Sequence, residues 1–169
     1  ITIIQPNGGE VLPLGMYTTF SWQTVAVEGN IALELNRDYP NGDWETIVPG
    51  FPDPGSIQWL ANGAESNNAR LRVRALELTG IEDISDDDFS ILDTPAIAFL
   101  TPSTDVNWAI GEEHTITWQD NFAEDVVVEM VPTAGGEPLW EAQTASDGSF
   151  AWTLSTSVLP GETYIIRIS

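Results

Sequence analysis

Cysteine, lysine and long apolar runs are all missing from this sequence of 169 residues, and the absence of cysteine and of apolar runs excludes whole classes of protein. Without cysteine there is no disulfide, no thiolate nucleophile and no Cys-ligated zinc. No apolar run reaches the roughly 20 residues that a membrane-spanning helix needs. No stretch sustains helical periodicity, so the sequence predicts neither a membrane-spanning segment nor a helical fold.

The charge is almost entirely of one sign: 26 acidic residues stand against 5 arginines, and the formal net charge is −21. Residues 1–92 have a net charge of −10 and residues 93–169 have −11, so the acidity is spread over the chain. Because nucleic-acid phosphates are bound by clustered cations, the sequence excludes nucleic acid as a partner. Such a surface suits a saline or a calcium-rich exterior, and both interpretations stay open.

The chain repeats itself, since residues 1–23 align without a gap on residues 97–119 and Trp22-Gln23 matches Trp118-Gln119. Further segments recur in the same order: IALEL (31–35) with VVVEM (126–130), Trp44 with Trp140, SIQW (56–59) with SFAW (149–152), and LRV (71–73) with IRI (166–168). Two copies of one domain are the simplest explanation. The sequence predicts domains over 1–92 and 97–169, joined by a short linker at 93–96.

Each copy has the sequence pattern of a β-sandwich. Short segments with alternating apolar and polar residues are separated by clusters of Gly, Pro, Asn and Asp. In the first copy the predicted strands lie near residues 1–5, 10–14, 17–24, 30–36, 44–48, 56–60, 69–76 and 87–92. The predicted fold class is all-β, with two tandem immunoglobulin-like or fibronectin-III-like antiparallel sandwiches.

The second copy lacks the last strand of the first. Copy one continues past the strand of Arg72 into Phe89-Ser90-Ile91-Leu92, whereas copy two reaches Ser169 directly after the strand of Arg167. A sandwich without this strand has an open sheet edge. We expect either the protein's own continuation or a strand donated by a neighbouring subunit to cover it, and repeated donation would build a filament.

The alignment also predicts one ion pair in each copy. Glu34 and Arg72 occupy outward positions on strands that are neighbours in an immunoglobulin-like sheet, and Glu129 and Arg167 occupy the matching positions. We therefore expect a cross-strand Glu–Arg pair in each domain. As an exposed pair, each would contribute about 0.2–1 kcal/mol.

The opening segment Ile3-Ile4-Gln5-Pro6-Asn7-Gly8-Gly9-Glu10, with Gly15 and Phe20-Ser21-Trp22, resembles the Ser/Thr-rich GPI-anchored membrane family. That family is also described as the N-terminal domain of yeast cell-wall β-glucan assembly proteins, and similar modules occur in secreted bacterial and archaeal proteins. The resemblance covers nearly all of residues 1–92 and, less closely, 97–169. It implies a secreted or cell-surface β-sandwich accessory module without catalytic residues.

Motifs for catalysis are absent, since no nucleophile elbow, phosphate loop or His-x-x-x-His pair occurs. The only histidine, His114, falls at the Thr18 position of a strand whose other residues on the same side are Ile116 and Trp118. A general base needs oriented partners, so we interpret His114 as a core or edge residue. The sequence predicts that the protein is not an enzyme.

The run Glu82-Asp83-Ile84-Ser85-Asp86-Asp87-Asp88 is the candidate metal site, because calcium binds several oxygen ligands from a flexible acidic loop. Calcium is the cofactor that this run suggests, and the candidate ligands are Glu82, Asp83, Asp86 and Asp88. The run lacks the spacing and the glycine of an EF-hand loop. The alternative is a solvated turn whose Asp and Ser side chains cap local backbone groups.

The seven tryptophans divide into two groups. The predicted core tryptophans recur at matching strand positions or share strand parity with apolar neighbours: Trp22, Trp59, Trp108, Trp118 and Trp152. Trp44 and Trp140 follow hairpin loops, where partial exposure is expected. With Tyr39, Trp44 forms the candidate carbohydrate contact, and the alternative is aromatic packing over a sheet edge.

The sequence therefore predicts a non-catalytic extracellular structural or adhesive module of a larger secreted or surface protein. Its partners would be other domains of the chain or neighbouring subunits, which it would contact through sheet edges, and strand donation into a polymer is one form of this. The alternative is a carbohydrate-binding accessory domain of a secreted hydrolase, with a polysaccharide as partner.

Overall fold

The computed structural model describes residues 1–155 and 158–169, and the chain divides into two compact units, Ile1–Thr94 and Pro95–Ser169. We call them unit 1 and unit 2. The described residues form β-strands and no helix, so the predicted all-β fold class is confirmed. In the described part of the chain there is accordingly no helix that is long and apolar enough to cross a membrane.

Unit 1 contains two sheets. Its strands are β1 (Thr2–Gln5), β2 (Val11–Pro13), β3 (Tyr17–Gln23), β4 (Asn30–Asn36), β5 (Trp44–Pro52), β6 (Ser56–Leu60), β7 (Ser66–Ala75), β8 (Glu82–Ile84) and β9 (Phe89–Leu92). One sheet has the order β1-β3-β6, and the other has the order β2-β9-β7-β4-β5, with β8 also paired to β7. The β2–β9 pair is parallel and the remaining pairs of unit 1 are antiparallel.

The core of unit 1 follows from the period-two alternation of its strands. Side chains at alternate positions point to the same face, so Leu71 and Val73 on β7 are both fully buried. Phe20 on β3 stacks on Trp59, with ring centroids 4.9 Å apart. Phe89, on the last strand, is 1% exposed, so that strand closes the core as the sequence predicts.

Unit 2 repeats the central strands of unit 1. Its strands are β10 (Ile97–Thr101), β11 (Glu113–Asp120), β12 (Val126–Pro132), β13 (Trp140–Thr144), β14 (Ser149–Thr153) and β15 (Tyr164–Ile168). The sheets have the orders β10-β11-β14 and β13-β12-β15. Within the described residues of unit 2, no strand corresponds to β2, β8 or β9, so the predicted incomplete second sandwich is confirmed and β15 is an edge strand.

The core tryptophan of each unit donates its indole N–H to an aspartate, as a buried polar group requires. Trp22 Nε1 lies 2.8 Å from Asp53 Oδ1, on the segment between β5 and β6. Trp118 Nε1 lies 2.7 Å from Asp120 Oδ2, two residues along its own strand. Both units therefore have the buried indole ring at the same position of the repeat, but the carboxylate that accepts its N–H comes from a different place in the chain.

Surroundings of Asp53 set its acidity. Burial acts to raise the pKa of Asp53. Hydrogen bonds from the Thr24 hydroxyl, the Gly55 N–H and the Trp22 indole outweigh this effect and hold the pKa below its ordinary value. The Thr24 and Gly55 bonds measure 2.6 and 2.9 Å. The ionised carboxylate is therefore part of the folded state of unit 1.

Candidate functional site

A groove of about 430 Å³ opens in unit 2 between its two sheets, beside the free edge of β15. Its apolar walls come from one strand of each sheet, Ile97 and Phe99 on β10 and Ile166 and Ile168 on β15. The remaining lining residues are Glu129, Arg167 and Ser169. Because the two isoleucines of β15 are only half-buried, the groove exposes apolar surface that a complete sandwich would cover.

Among the described residues, the backbone of β15 is paired on one side only, with β12. Val127 and Ser169 exchange both backbone hydrogen bonds, at 2.9 and 3.1 Å. In an antiparallel ladder such pairs occur at every second residue, and the residues between them point their N–H and C=O groups the other way. The N–H and C=O groups of Ile166 and Ile168 therefore point to the open edge.

Strand β8 occupies the corresponding place in unit 1. It pairs with β7 in antiparallel register, with Ile84 opposite Arg72. The Asp83 carboxylate also reaches the other sheet, where it accepts the Ile3 N–H at 2.7 Å. The sequence pattern did not predict β8, because Glu82 and Asp83 read as part of an acidic turn.

Ser85 fixes the end of β8 through a buried set of hydrogen bonds. Its Oγ accepts the Leu71 N–H at 3.1 Å and donates to the Pro6 carbonyl at 2.9 Å. Its own N–H donates to the Leu71 carbonyl at 3.0 Å. One serine thereby ties the edge of β7 to the turn after β1.

The candidate calcium ligands have separate protein partners. Besides the contact of Asp83 with β1, Asp86 accepts the Asn7 amide at 2.8 Å, and Asp88 lies 2.6 Å from Arg70 Nε. Glu82 Oε2 lies 3.9 Å from Arg72. Over the described ranges, no three His, Asp or Glu side chains are grouped to hold a metal ion. Calcium binding by this run stays a prediction.

The candidate carbohydrate residues are neighbours on the outer face of unit 1. The rings of Tyr39 and Trp44 meet edge to face, with centroids 6.1 Å apart, and both are half-buried. Each ring packs against the guanidinium group of an arginine. Arg70 lies 5.1 Å from the Tyr39 centroid, and Arg72 lies 4.2 Å from the Trp44 centroid. One face of each ring is thus engaged in a cation–π contact.

The expected equivalence of Trp44 and Trp140 is wrong in register. Trp44 lies opposite Asn36, whereas Trp140 lies opposite Met130, the residue that the repeat matches with Leu35. A one-residue slip turns a side chain to the other face of a sheet. Trp140 accordingly packs against the core ring of Trp152 at 4.7 Å, so unit 2 has no counterpart of the Tyr39–Trp44 pair at this position.

Both predicted Glu–Arg pairs form, and the register opposes Glu34 to Arg72 and Glu129 to Arg167. The closest N–O distances are 2.6 and 3.1 Å. The expectation that both pairs are exposed is wrong for unit 1. The Glu34 and Arg72 side chains are 11% and 19% exposed, whereas those of Glu129 and Arg167 are 20% and 52% exposed.

His114 stacks on Trp108 with the rings nearly parallel and their centroids 4.3 Å apart. The imidazole is half-buried, and its Nε2 has no hydrogen-bond partner among the residues that the structure describes. A general base requires an oriented partner for its imidazole, and the packing against Trp108 supplies none. The arrangement is that of an aromatic packing contact on β11, the central strand of its sheet.

No protein-family model matches the chain, and no curated protein matches it. Among solved structures, the fibronectin(III)-like modules of Clostridium thermocellum CbhA are similar at 14% identity, over 99% of this chain and 83% of that chain, with a TM-score of 0.36. A score of this size supports no functional statement. The fold assignment rests on the strand order and registers described above.

Proposed function

We propose that the chain is a non-catalytic structural module of a secreted or surface protein, in which tandem sandwiches act as a spacer. The observation that carries this proposal is the repetition itself: one sandwich pattern is used twice, and each copy has its own core. The resemblance of the opening segment to extracellular accessory modules and the net charge of −21 support an exterior location.

The outer face of unit 1 supports a structural role. Arg72 is held by Glu34, Arg70 by Asp88, and Arg37 by Glu45 at 2.9 Å, so these cations are bound by the protein's own acids. Charged side chains that form ion pairs with each other are typical of a structural surface. A catalytic site instead needs a nucleophile, base or metal directed into a cleft.

A spacer must remain folded under load, and force spectroscopy on the intact chain tests this. With handles at residues 1 and 169, we expect two separate unfolding events that recover on relaxation, one for each unit. Unit 2 should unfold at the lower force, because Ile166 and Ile168 are only half-buried whereas the matching residues of unit 1, Leu71 and Val73, are fully buried. A single event, or a unit without measurable resistance, would contradict the spacer function.

Carbohydrate binding is the second candidate, and the observation that favours it is the adjacency of Tyr39 and Trp44 on one outer face. Glycan-array and polysaccharide pull-down assays on Trp44→Ala test it. Tyr17→Ala is the matched control, since Tyr17 is an exposed aromatic residue on the other sheet of unit 1. Binding lost only in Trp44→Ala supports the lectin-like function, and no binding by the unaltered chain rejects it.

A further inference from the structure

We propose that Asn62 is a site of spontaneous modification, at which the folded chain converts asparagine to isoaspartate and releases ammonia. Asn62 precedes Gly63 in the loop between β6 and β7, and both residues are exposed. The proposal goes beyond the spacer function, and either can fail without the other. It rests on the exposed Asn-Gly step, on the lack of hydrogen bonds at its reacting groups, and on the guanidinium group of Arg37 beside them.

The reaction needs only the chain and water. The Gly63 nitrogen gives up its proton and attacks Cγ of Asn62, and the side-chain amide nitrogen takes up a proton and leaves as ammonia. A succinimide ring results, and glycine favours its closure because no side chain obstructs the attack. Water then opens the ring. Opening at the side-chain carbonyl gives aspartate, whereas opening at the main-chain carbonyl gives isoaspartate, whose free carboxylate is the former main-chain carbonyl.

The sequence contains three Asn-Gly steps, and the first of them is held by hydrogen bonds at both reacting groups. The side-chain amide of Asn7 donates to Asp86 at 2.8 Å, and its oxygen accepts the Asp86 N–H at 2.9 Å. The Gly8 N–H donates to the Glu10 carboxylate at 2.7 Å. Ring closure at Asn7 must therefore break all of these bonds first.

The other two steps differ in the state of the attacking nitrogen. The Gly42 N–H, which follows Asn41, donates to the Asp38 carbonyl at 2.6 Å. Among residues 1–155 and 158–169, by contrast, neither the Asn62 side-chain amide nor the Gly63 N–H has a hydrogen-bond partner. Asn62 is thus the Asn-Gly step whose nucleophile and leaving group are both unhindered by hydrogen bonds.

Arg37 contacts the peptide group that reacts. Its Nη2 donates to the Asn62 main-chain carbonyl at 2.7 Å, and its Nη1 donates to the Ala64 carbonyl at 2.7 Å. Glu45 holds the same guanidinium group through Nε at 2.9 Å. A Cβ atom placed on Gly63 would lie 2.9 Å from Nη2, so the cation is next to the attacking residue. A cation at this place stabilises the negative charge that develops as the Gly63 N–H loses its proton.

The same contact predicts which product forms. Because Arg37 Nη2 donates to the main-chain carbonyl of Asn62, it polarises the ring carbonyl whose opening gives isoaspartate. The carboxylate formed there is next to a guanidinium group, and a charged hydrogen bond stabilises it. We therefore expect a larger share of isoaspartate from the folded chain than from a free peptide of residues 58–68, which lacks Arg37.

Peptide mapping by mass spectrometry, after incubation of the folded chain at mildly alkaline pH, tests the proposal. Asn62 should react at least about five times faster than Asn41, and Asn7 should be the slowest, since each hydrogen bond that must break slows the reaction by about this factor. In urea the three steps should react at similar rates. Equal rates in the folded chain would overturn the proposal. So would a lead of Asn62 that persists in urea, because the sequence alone would then explain it.

Two variants test the roles of the residues. Asn62→Gln should remain unmodified at this position, because the longer side chain closes a larger ring more slowly. Arg37→Lys keeps the charge but loses the forked contact with the loop, so the rate at Asn62 and the share of isoaspartate should both fall. Slow reaction at Asn7 and Asn41 shows that unit 1 of this variant is folded.

An unchanged rate and an unchanged product ratio in folded Arg37→Lys would contradict the role of Arg37. If Arg37→Lys fails to fold, the product ratio of the unaltered chain decides the matter. A share of isoaspartate equal to that of the free peptide would then overturn the role of Arg37, and a larger share would support it.

Discussion

Units 1 and 2 have the same central strands, yet within residues 1–155 and 158–169 only unit 1 covers the outer edge of its second sheet. There β8 and β9 lie along β7, and the inward residues of β7, Leu71 and Val73, are fully buried. In unit 2 the matching residues, Ile166 and Ile168, remain half-buried beside a groove. The comparison teaches that in unit 1 the segment of β8 and β9 completes a core that the described strands of unit 2 leave half-covered.

The same comparison separates two environments for one ion pair. Glu34 bridges two arginines, Arg72 and Arg74, and is buried. Glu129 has one arginine, which stands largely in solvent. The strand register therefore brings the Glu and Arg of each pair together, whereas the surrounding side chains determine how much the pair contributes to stability.

The largest expected effect comes from removing the closing side chain of unit 1. Phe89→Ala should destabilise unit 1 by about 3–5 kcal/mol, because a fully buried aromatic ring leaves a cavity. Urea unfolding followed by NMR resolves the two units. Phe99→Ala in unit 2 is the matched control, since that ring is 38% exposed, and it should cost far less. Similar losses at both positions would contradict the difference between the edges.

The next largest effect concerns the ion pairs. Glu34→Gln should destabilise unit 1 by about 1.5–3 kcal/mol, because charged hydrogen bonds to two arginines are lost at a buried position. Glu129→Gln should cost unit 2 only about 0.2–1 kcal/mol, as is usual for exposed pairs. Denaturant midpoints for the two variants measure this contrast. A larger loss for Glu129→Gln than for Glu34→Gln would show that the burial of the pairs is misassigned.

A smaller, pH-dependent effect is expected from Asp53. Its pKa is lower in the folded state than in the unfolded chain, so its contribution is present above the unfolded value of about 3.9 and is lost as pH falls through the folded value. Asp53→Asn should therefore destabilise unit 1 near pH 7 and approach the unaltered protein in strong acid. Thermal melts across this pH range measure the difference. If the stability difference between Asp53→Asn and the unaltered protein grew towards low pH, it would contradict the lowered pKa of Asp53.

The smallest expected effect is a calcium-specific one. Sodium chloride should raise the melting temperature, because screening relieves the repulsion of a chain with a net charge of −21. Calcium at matched ionic strength should give the same rise if Asp83, Asp86 and Asp88 keep their separate partners. A clearly larger rise with calcium, abolished by Asp86→Asn, would instead establish the metal site that the acidic run suggests.

Much of the architecture could be predicted from the sequence because alternation and turn residues are local signals. The strands of unit 1 and the Glu34–Arg72 register follow from period two and from the internal repeat. Strand β8 could not be predicted from the sequence, because it is held by contacts of Asp83 and Ser85 with segments distant in sequence. The inward turn of Trp140 was missed because loop length determines register in a hairpin, and matching residue types does not reveal a slip of one residue.

Native-state amide exchange at two equivalent positions tests the central claim most directly. The Leu71 amide is bonded to the buried Ser85 hydroxyl, whereas the Ile166 amide faces the open edge. In the chain of residues 1–169, Leu71 should exchange slowly and Ile166 fast, with the Val127 and Ser169 amides protected as internal references. Protection of Ile166 equal to that of Leu71 would mean that the edge of unit 2 is closed, and it would contradict the account.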